Sequence, residues 1–301
     1  MVRRVGHGFA GRGLEGAEIR SGLPVLEGEG DVFVAGEVWE RRASGGWLIW
    51  ERDGALFGAI EARIPSGGLC GTTRHVYEEL FENLQGRAVH RIWNFIPEIN
   101  AVVGGTENYR MFCVGRHEAF HGVFGERASE AMPAASAVGT TGDRLVVWFA
   151  GGDREGVHFE NPGQVPAYFY PSDYGPRPPS FARATKVEVA GGLQVYVSGT
   201  SSILGHETIA PGDVSTQVAV TIENLERIVS VAGVPGLTVS DGEMIVYLRR
   251  AGDLESVKGQ LVRKWPGAGS QATFLRADIC RGDLDVEIEW SCAIPSDRVL
   301  K

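Results

Sequence analysis

The chain has 301 residues, of which 43% are hydrophobic and 22% charged, enough for one large or two smaller globular domains. Its formal net charge is −9, which argues against binding the phosphate backbone of nucleic acids, a task that requires clustered Lys and Arg. The four cysteines, Cys70, Cys113, Cys280 and Cys292, show no C-x-x-C spacing, so neither a structural zinc site nor a disulfide framework is expected. The basic start Met1–His7 is followed by no apolar run and no stretch approaches bilayer length, so a cytoplasmic location without membrane attachment is expected.

Residues 1–30 are rich in Gly, Glu and Arg, and loose order is expected for part of them. Gly6, Gly8 and Gly11 match the letters of a dinucleotide loop, but only five residues precede them, too few for the strand that such a loop must follow. Strands are predicted at 31–36, 46–51 and 56–64, with Gly54 turning the chain between the last two. Val76, Leu80, Phe81 and Leu84 give residues 73–84 one apolar helical face, and Gly86 ends it. A strand at 88–95, a helix at 107–123 and a strand at 144–149 follow. His117 and His121 stand four apart on that helix, a metal-compatible spacing that lacks a third ligand and so reads as a surface face.

Four prolines within 168–180 forbid regular helix and mark a joint, which divides the chain into domains 1–165 and 166–301. Beyond it, 186–197 reads as a strand pair or one long strand. Asp213 caps a helix running to about Ala232, with Val214, Val218, Ile222, Leu225 and Val229 on its apolar face. A strand at 243–249, a helix at 254–264 and closing strands at 273–279 and 284–290 complete the order. Both halves read strand, helix, strand, helix, strand. The expected class is α+β, two related domains with mixed sheets and helices packed on one face of each.

Three stretches carry more specific information: RIWNFIPEIN at 91–100 with YRMFCVGR at 109–116; YGPRPPSFARAT at 174–185; and SGT at 198–200, GDVSTQ at 212–217 and VEIE at 286–289. The second half resembles the YjgF-like (chorismate-mutase-like) fold. The whole set, over about residues 75–290, resembles the chorismatase family, in which two YjgF-like domains on one chain imitate part of a trimer. The resemblance implies chorismate as a small-molecule substrate, pyruvate as one product, no cofactor and no metal; a monomer is expected. Glu287, first carboxylate of VEIE, matches the family's proton donor. Alternation puts Glu287 and Glu289 on one strand face; strand carboxylates ordinarily face solvent, and Glu289 is read as structural.

A dianionic substrate calls for guanidinium partners, and Arg116 and Arg183 are the candidates, Arg110 a weaker one. Tyr174 is placed to donate a hydrogen bond or pack its ring. The resemblance further implies a product: Gly in the SGT turn and Cys seven residues before the acid mark the branch that aromatises its substrate to 3-hydroxybenzoate, and here these positions are Gly199 and Cys280. The alternative is hydrolysis to a dihydroxycyclohexadiene carboxylate. An imine deaminase and a non-catalytic small-acid binder are the rival readings of the fold.

Overall fold

The structure is a computed structural model and describes residues 2–4, 21–28, 33–35, 40–65 and 68–299. Most of 1–30, including the glycine pattern at Gly6–Gly11, lies outside the described residues, as do parts of the strand expected at 31–36.

Two seven-stranded sheets dominate. In chain order their strands are β1 (Val25–Glu27), β2 (Glu40–Ser44), β3 (Trp47–Arg52), β4 (Ala55–Arg63), β5 (Ala88–Pro97), β6 (Ala134–Thr140) and β7 (Arg144–Gly152). The second half adds β8 (Val157–Phe159), β9 (Ala184–Val189), β10 (Gly192–Ser201), β11 (Glu243–Leu248), β12 (Ala272–Arg276), β13 (Asp278–Ile279) and β14 (Val286–Pro295). Four longer helices accompany them: α1 (Leu69–Leu84), α2 (Asn108–Phe124), α3 (Val214–Ala232) and α4 (Leu254–Lys264).

The first sheet runs β13-β6-β5-β7-β4-β3-β2 and the second β8-β9-β10-β14-β11-β12-β1. The segments β6-β5-β7-β4-β3 and β12-β11-β14-β10-β9 have the same topology, so the expected repeat is real at the level of strand order. In each, one parallel pair (β5–β6, β11–β12) is joined through a helix and the remaining neighbours are antiparallel. The edge strand beyond each parallel pair comes from the opposite end of the chain: β13 lies on β6, and β1 on β12. Residues 273–279, expected to form one strand, thus split between the two sheets.

Local sequence explains the helices. In α3 the Asp213 carboxylate accepts from the Thr216 N–H at 3.1 Å, and Val218, Ile222, Leu225 and Val229 form its buried stripe. α1 begins four residues earlier than expected, and Gln85, in the left-handed region, closes it before Gly86. α2 approaches α1 closely because Gly115 has no side chain; a Cβ there would strike the Cys70 carbonyl.

Three apolar layers result. One lies between the first sheet and α1 and α2, around Trp47, Tyr77, Phe112 and Phe149. Another lies between the second sheet and α3 and α4, around Val218, Leu225, Phe274 and Ile288. The third is formed by the two sheets against each other, with Trp50, Trp93, Trp148, Tyr247 and Leu275. Each fully buried aliphatic side chain adds about 1.5–3 kcal/mol. The start of β6 extends past β13, and its free edge is closed by the second half: the Ala134 N–H donates to Thr185 Oγ1 and the Ala135 N–H to Ser198 Oγ, both at 2.8 Å. No helix among the described residues is long and apolar enough to cross a membrane.

Candidate active site

A cavity of about 260 Å³ opens where α2 and β6 of the first half meet β10, β14 and the turn after β13. All six residues singled out in the sequence line it: Glu287, Cys280, Arg116, Arg183, Tyr174 and Gly199. Arg110 also reaches it, but is paired with Glu107 at 3.5 Å in a half-exposed position.

Glu287 is 3% exposed, and its Oε1 has no hydrogen-bond partner among the described residues. Burial pushes its carboxyl up to about 8, and the neighbouring Glu289 carboxylate adds to the rise; Arg91, Arg183 and the Ser201 hydroxyl pull the other way without cancelling it. The group therefore stays protonated at neutral pH. Its space is provided by Gly199 on β10: a Cβ there would lie 2.5 Å from the Glu287 Cδ and closer still to Oε1.

Arg116 is 3% exposed and its guanidinium lies over the rings of Tyr77 and Phe120, at 5.2 and 5.5 Å. Its Nε and Nη2 are buried without a partner among the described residues. Arg183 donates through Nη2 to the Tyr170 hydroxyl at 2.7 Å, while its Nε is likewise unpartnered. The nearest carboxylate to that Nε, Glu160, is 4.0 Å away and is itself raised to about 7 by burial, so it only partly offsets the Arg183 charge at neutral pH. Buried cations with open donors beside a cavity are suited to a carboxylate-bearing ligand.

The thiol of Cys280 is driven up to about 12, chiefly by burial and then by Glu287, so it is a neutral thiol rather than a nucleophilic thiolate. Cys113 and Tyr109 on α2 add a second neutral thiol and a phenol held well above its usual range by burial. The Tyr174 hydroxyl is engaged with His206 Nδ1 at 3.0 Å, and its ring lies beneath Arg281, 4.1 Å from guanidinium to centroid. Sequence reasoning passed over Arg281. It lines the cavity and donates to the His206 carbonyl at 2.8 Å, tying the mouth to the Ile203–Thr208 hairpin. No motif distinguishes it, although its place beside Cys280 was a usable signal.

The turn carrying Cys280 and Arg281 is fixed by Arg249 at the end of β11. Arg249 donates to the carbonyls of Leu284, Ile279 and Arg281 and to the side chains of Asn100 and Asp278, bridging both halves. His117 and His121 have ring centroids 4.0 Å apart. Burial, His121 and Arg177 push His117 down to about 4. Among the described residues no group of three or more His, Cys, Asp or Glu is arranged to hold a metal ion.

Known proteins resemble this chain along most of its length. The family model described as chorismatase FkbO/Hyg5-like, N-terminal, matches residues 31–150. A 3-hydroxybenzoate synthase of Streptomyces hygroscopicus is 37% identical over 288 residues, spanning 90% of this chain and 84% of that protein. A chorismatase of the same organism is 35% identical over 277 residues, spanning 85% and 79%. A crystal structure of a chorismatase superimposes with a TM-score of 0.81 at 29% identity, covering 96% of this chain and 93% of the other. With relatives this similar along nearly all of its length, and with an uncharged carboxyl and two open guanidinium groups around one cavity, the chain is an enzyme of the chorismatase family.

Proposed function

We propose that this enzyme converts chorismate to 3-hydroxybenzoate and pyruvate, with Glu287 as the acid. The observation that carries the reading is the Glu287 carboxyl: buried, unpartnered at Oε1, raised to about 8, and facing a cavity with unpaired guanidinium nitrogens on Arg116 and Arg183. Arg116 and Arg183 bind the two substrate carboxylates. That places the enolpyruvyl methylene against Glu287, whose proton passes to that carbon as the double-bond pair takes it up.

Positive charge then develops on the ether-bearing carbon. The neighbouring ring hydroxyl attacks the ring carbon that holds the ether, the ring C–O bond breaks, and its electron pair becomes the carbonyl bond of pyruvate. The resulting three-membered cyclic ether opens with loss of a ring C–H proton. The hydroxyl proton and the ring proton together restore Glu287 and form the phenol, so no water is consumed. Gly199 and Cys280 shape this outcome: the missing Cβ leaves the acid close to the ring, and the neutral thiol fills space from which water would otherwise attack.

The test is incubation of purified protein with chorismate in heavy-oxygen water. Equal amounts of pyruvate and 3-hydroxybenzoate, the latter without solvent oxygen, are expected. A non-aromatic diol in place of 3-hydroxybenzoate would replace the product assignment with hydrolysis, and absence of pyruvate would overturn the substrate.

A further inference from the structure

Glu287 has a companion that the proposed reaction does not use. Two residues along β14, about 7 Å away on the same face, stands Glu289, 4% exposed. The two carboxyls have opposite surroundings. Glu289 Oε1 accepts from the Ser136 hydroxyl at 2.5 Å and the Tyr247 hydroxyl at 2.6 Å. Its Oε2 accepts from the Trp93 indole at 2.9 Å and lies 3.0 Å from Arg91 Nη2. These donors come from β5, β6 and β11, so the group is enclosed on three strands besides its own. Arg91 also donates to Ser136 Oγ at 2.9 Å, which turns the serine proton toward Glu289. Such a cluster offers donors to the carboxylate form.

We infer that Glu289 is a positioning residue whose fixed negative charge, locked by Arg91, Ser136, Trp93 and Tyr247, keeps the neighbouring Glu287 in its proton-bearing form. This rests on the assignment of Glu287 as the acid. The geometry supplies what the task needs: two carboxyls in one buried space, one satisfied by hydrogen bonds and one not, so that a single negative charge is accommodated and it resides on the satisfied group. Among the described residues, the remaining charged or titratable groups facing Glu287 are Arg91 from β5, Arg183 from the segment before β9, Cys280 from the turn after β13 and Tyr109 from α2. Tyr247 is its cross-strand neighbour on β11, and its hydroxyl is turned to Glu289. Both arginines oppose protonation of Glu287, and Glu289 outweighs Arg91.

The experiment is the pH dependence of kcat/KM for chorismate in the wild-type enzyme, Glu289→Gln, and the double variant Glu289→Gln/Arg91→Gln. The double variant removes both members of the buried Arg91–Glu289 pair together and serves if the single variant does not fold. Loss of the Glu289 charge removes a raising influence on the Glu287 carboxyl, while Arg91 and Arg183 still pull it down. The alkaline limb of Glu289→Gln should therefore move down by about one pH unit or more, whatever happens to the plateau height. The double variant should move in the same direction by less. A limb that stays in place or moves up in the folded variants overturns the inference. Glu287→Gln, measured alongside, separates the two claims: retained turnover there removes the acid assignment itself, whereas an inactive Glu287→Gln with an unmoved Glu289→Gln limb removes only the role of Glu289.

Discussion

β7 and β14 hold the same place in their two sheets, each between the parallel pair and the hairpin that precedes the first helix, yet they deliver opposite side chains to the layer between the sheets. From β7 that layer receives Val146, Trp148 and Ala150; from β14 it receives Glu287 and Glu289. Their outer faces are alike: Leu145, Val147 and Phe149 pack beneath α1 and α2, and Val286, Ile288 and Trp290 beneath α3 and α4. A repeated scaffold therefore does not repeat its chemistry. The first half uses the central strand for packing and contributes its cation, Arg116, from α2. The second half places two carboxyls where an apolar core would otherwise close.

This division of labour can be broken experimentally. The largest effect is expected for Glu287→Gln, which should lower kcat by about 10²–10⁴-fold while chorismate still binds, as single-turnover and binding measurements would show. The same change should flatten the pH dependence of stability. A carboxyl ordinarily titrating near 4.5 that titrates near 8 in the folded enzyme holds a proton the unfolded chain has lost. Its burial therefore costs stability progressively as pH rises from about 4.5 to about 8, and thermal melts should show the Gln variant gaining on the wild type across that window.

Gly199→Ala should come next. The new methyl collides with the Glu287 carboxyl, and displacement of an acid by about 1 Å costs on the order of 10² in turnover; product analysis should also show diol appearing beside 3-hydroxybenzoate. Arg116→Met should raise KM about 10–100-fold through loss of charged hydrogen bonds to a substrate carboxylate, and Arg116→Lys should not restore it. The smallest effect on catalysis is expected on β7. Val146→Ala should lower stability by about 2 kcal/mol in denaturant unfolding and leave turnover per folded molecule unchanged. A loss of turnover there comparable to that of Gly199→Ala would refute the contrast between the strands.

Much of this arrangement was legible in the sequence because it is locally encoded. The Asp213 cap and the stripe from Val218 to Val229 define α3, and the bounds of α4 match the expected 254–264. β6 escaped notice because Ala134–Thr140 is a run of small residues without alternation; it is a strand because β5 and β13 flank it and hydroxyls of the second half close its edge. The break between β12 and β13 was equally hidden, since the chain changes sheets at Ala277 without any Gly or Pro to mark it. Glu287 was singled out through its motif and lines the cavity, and alternation correctly placed Glu289 on the same strand face. The enclosure of Glu289 depends on Arg91, Trp93 and Ser136 from the other half, a long-range arrangement that no local pattern reveals.

The proposed chemistry requires one carboxyl to be neutral where its neighbour is ionised. Infrared difference spectroscopy of the wild-type enzyme against Glu287→Gln reads this directly. At pH 7 the difference should contain the carbonyl stretch of a protonated carboxyl, fading with a midpoint near 8 as the carboxylate bands replace it. A carboxylate signature for Glu287 already complete at pH 7 would contradict the account.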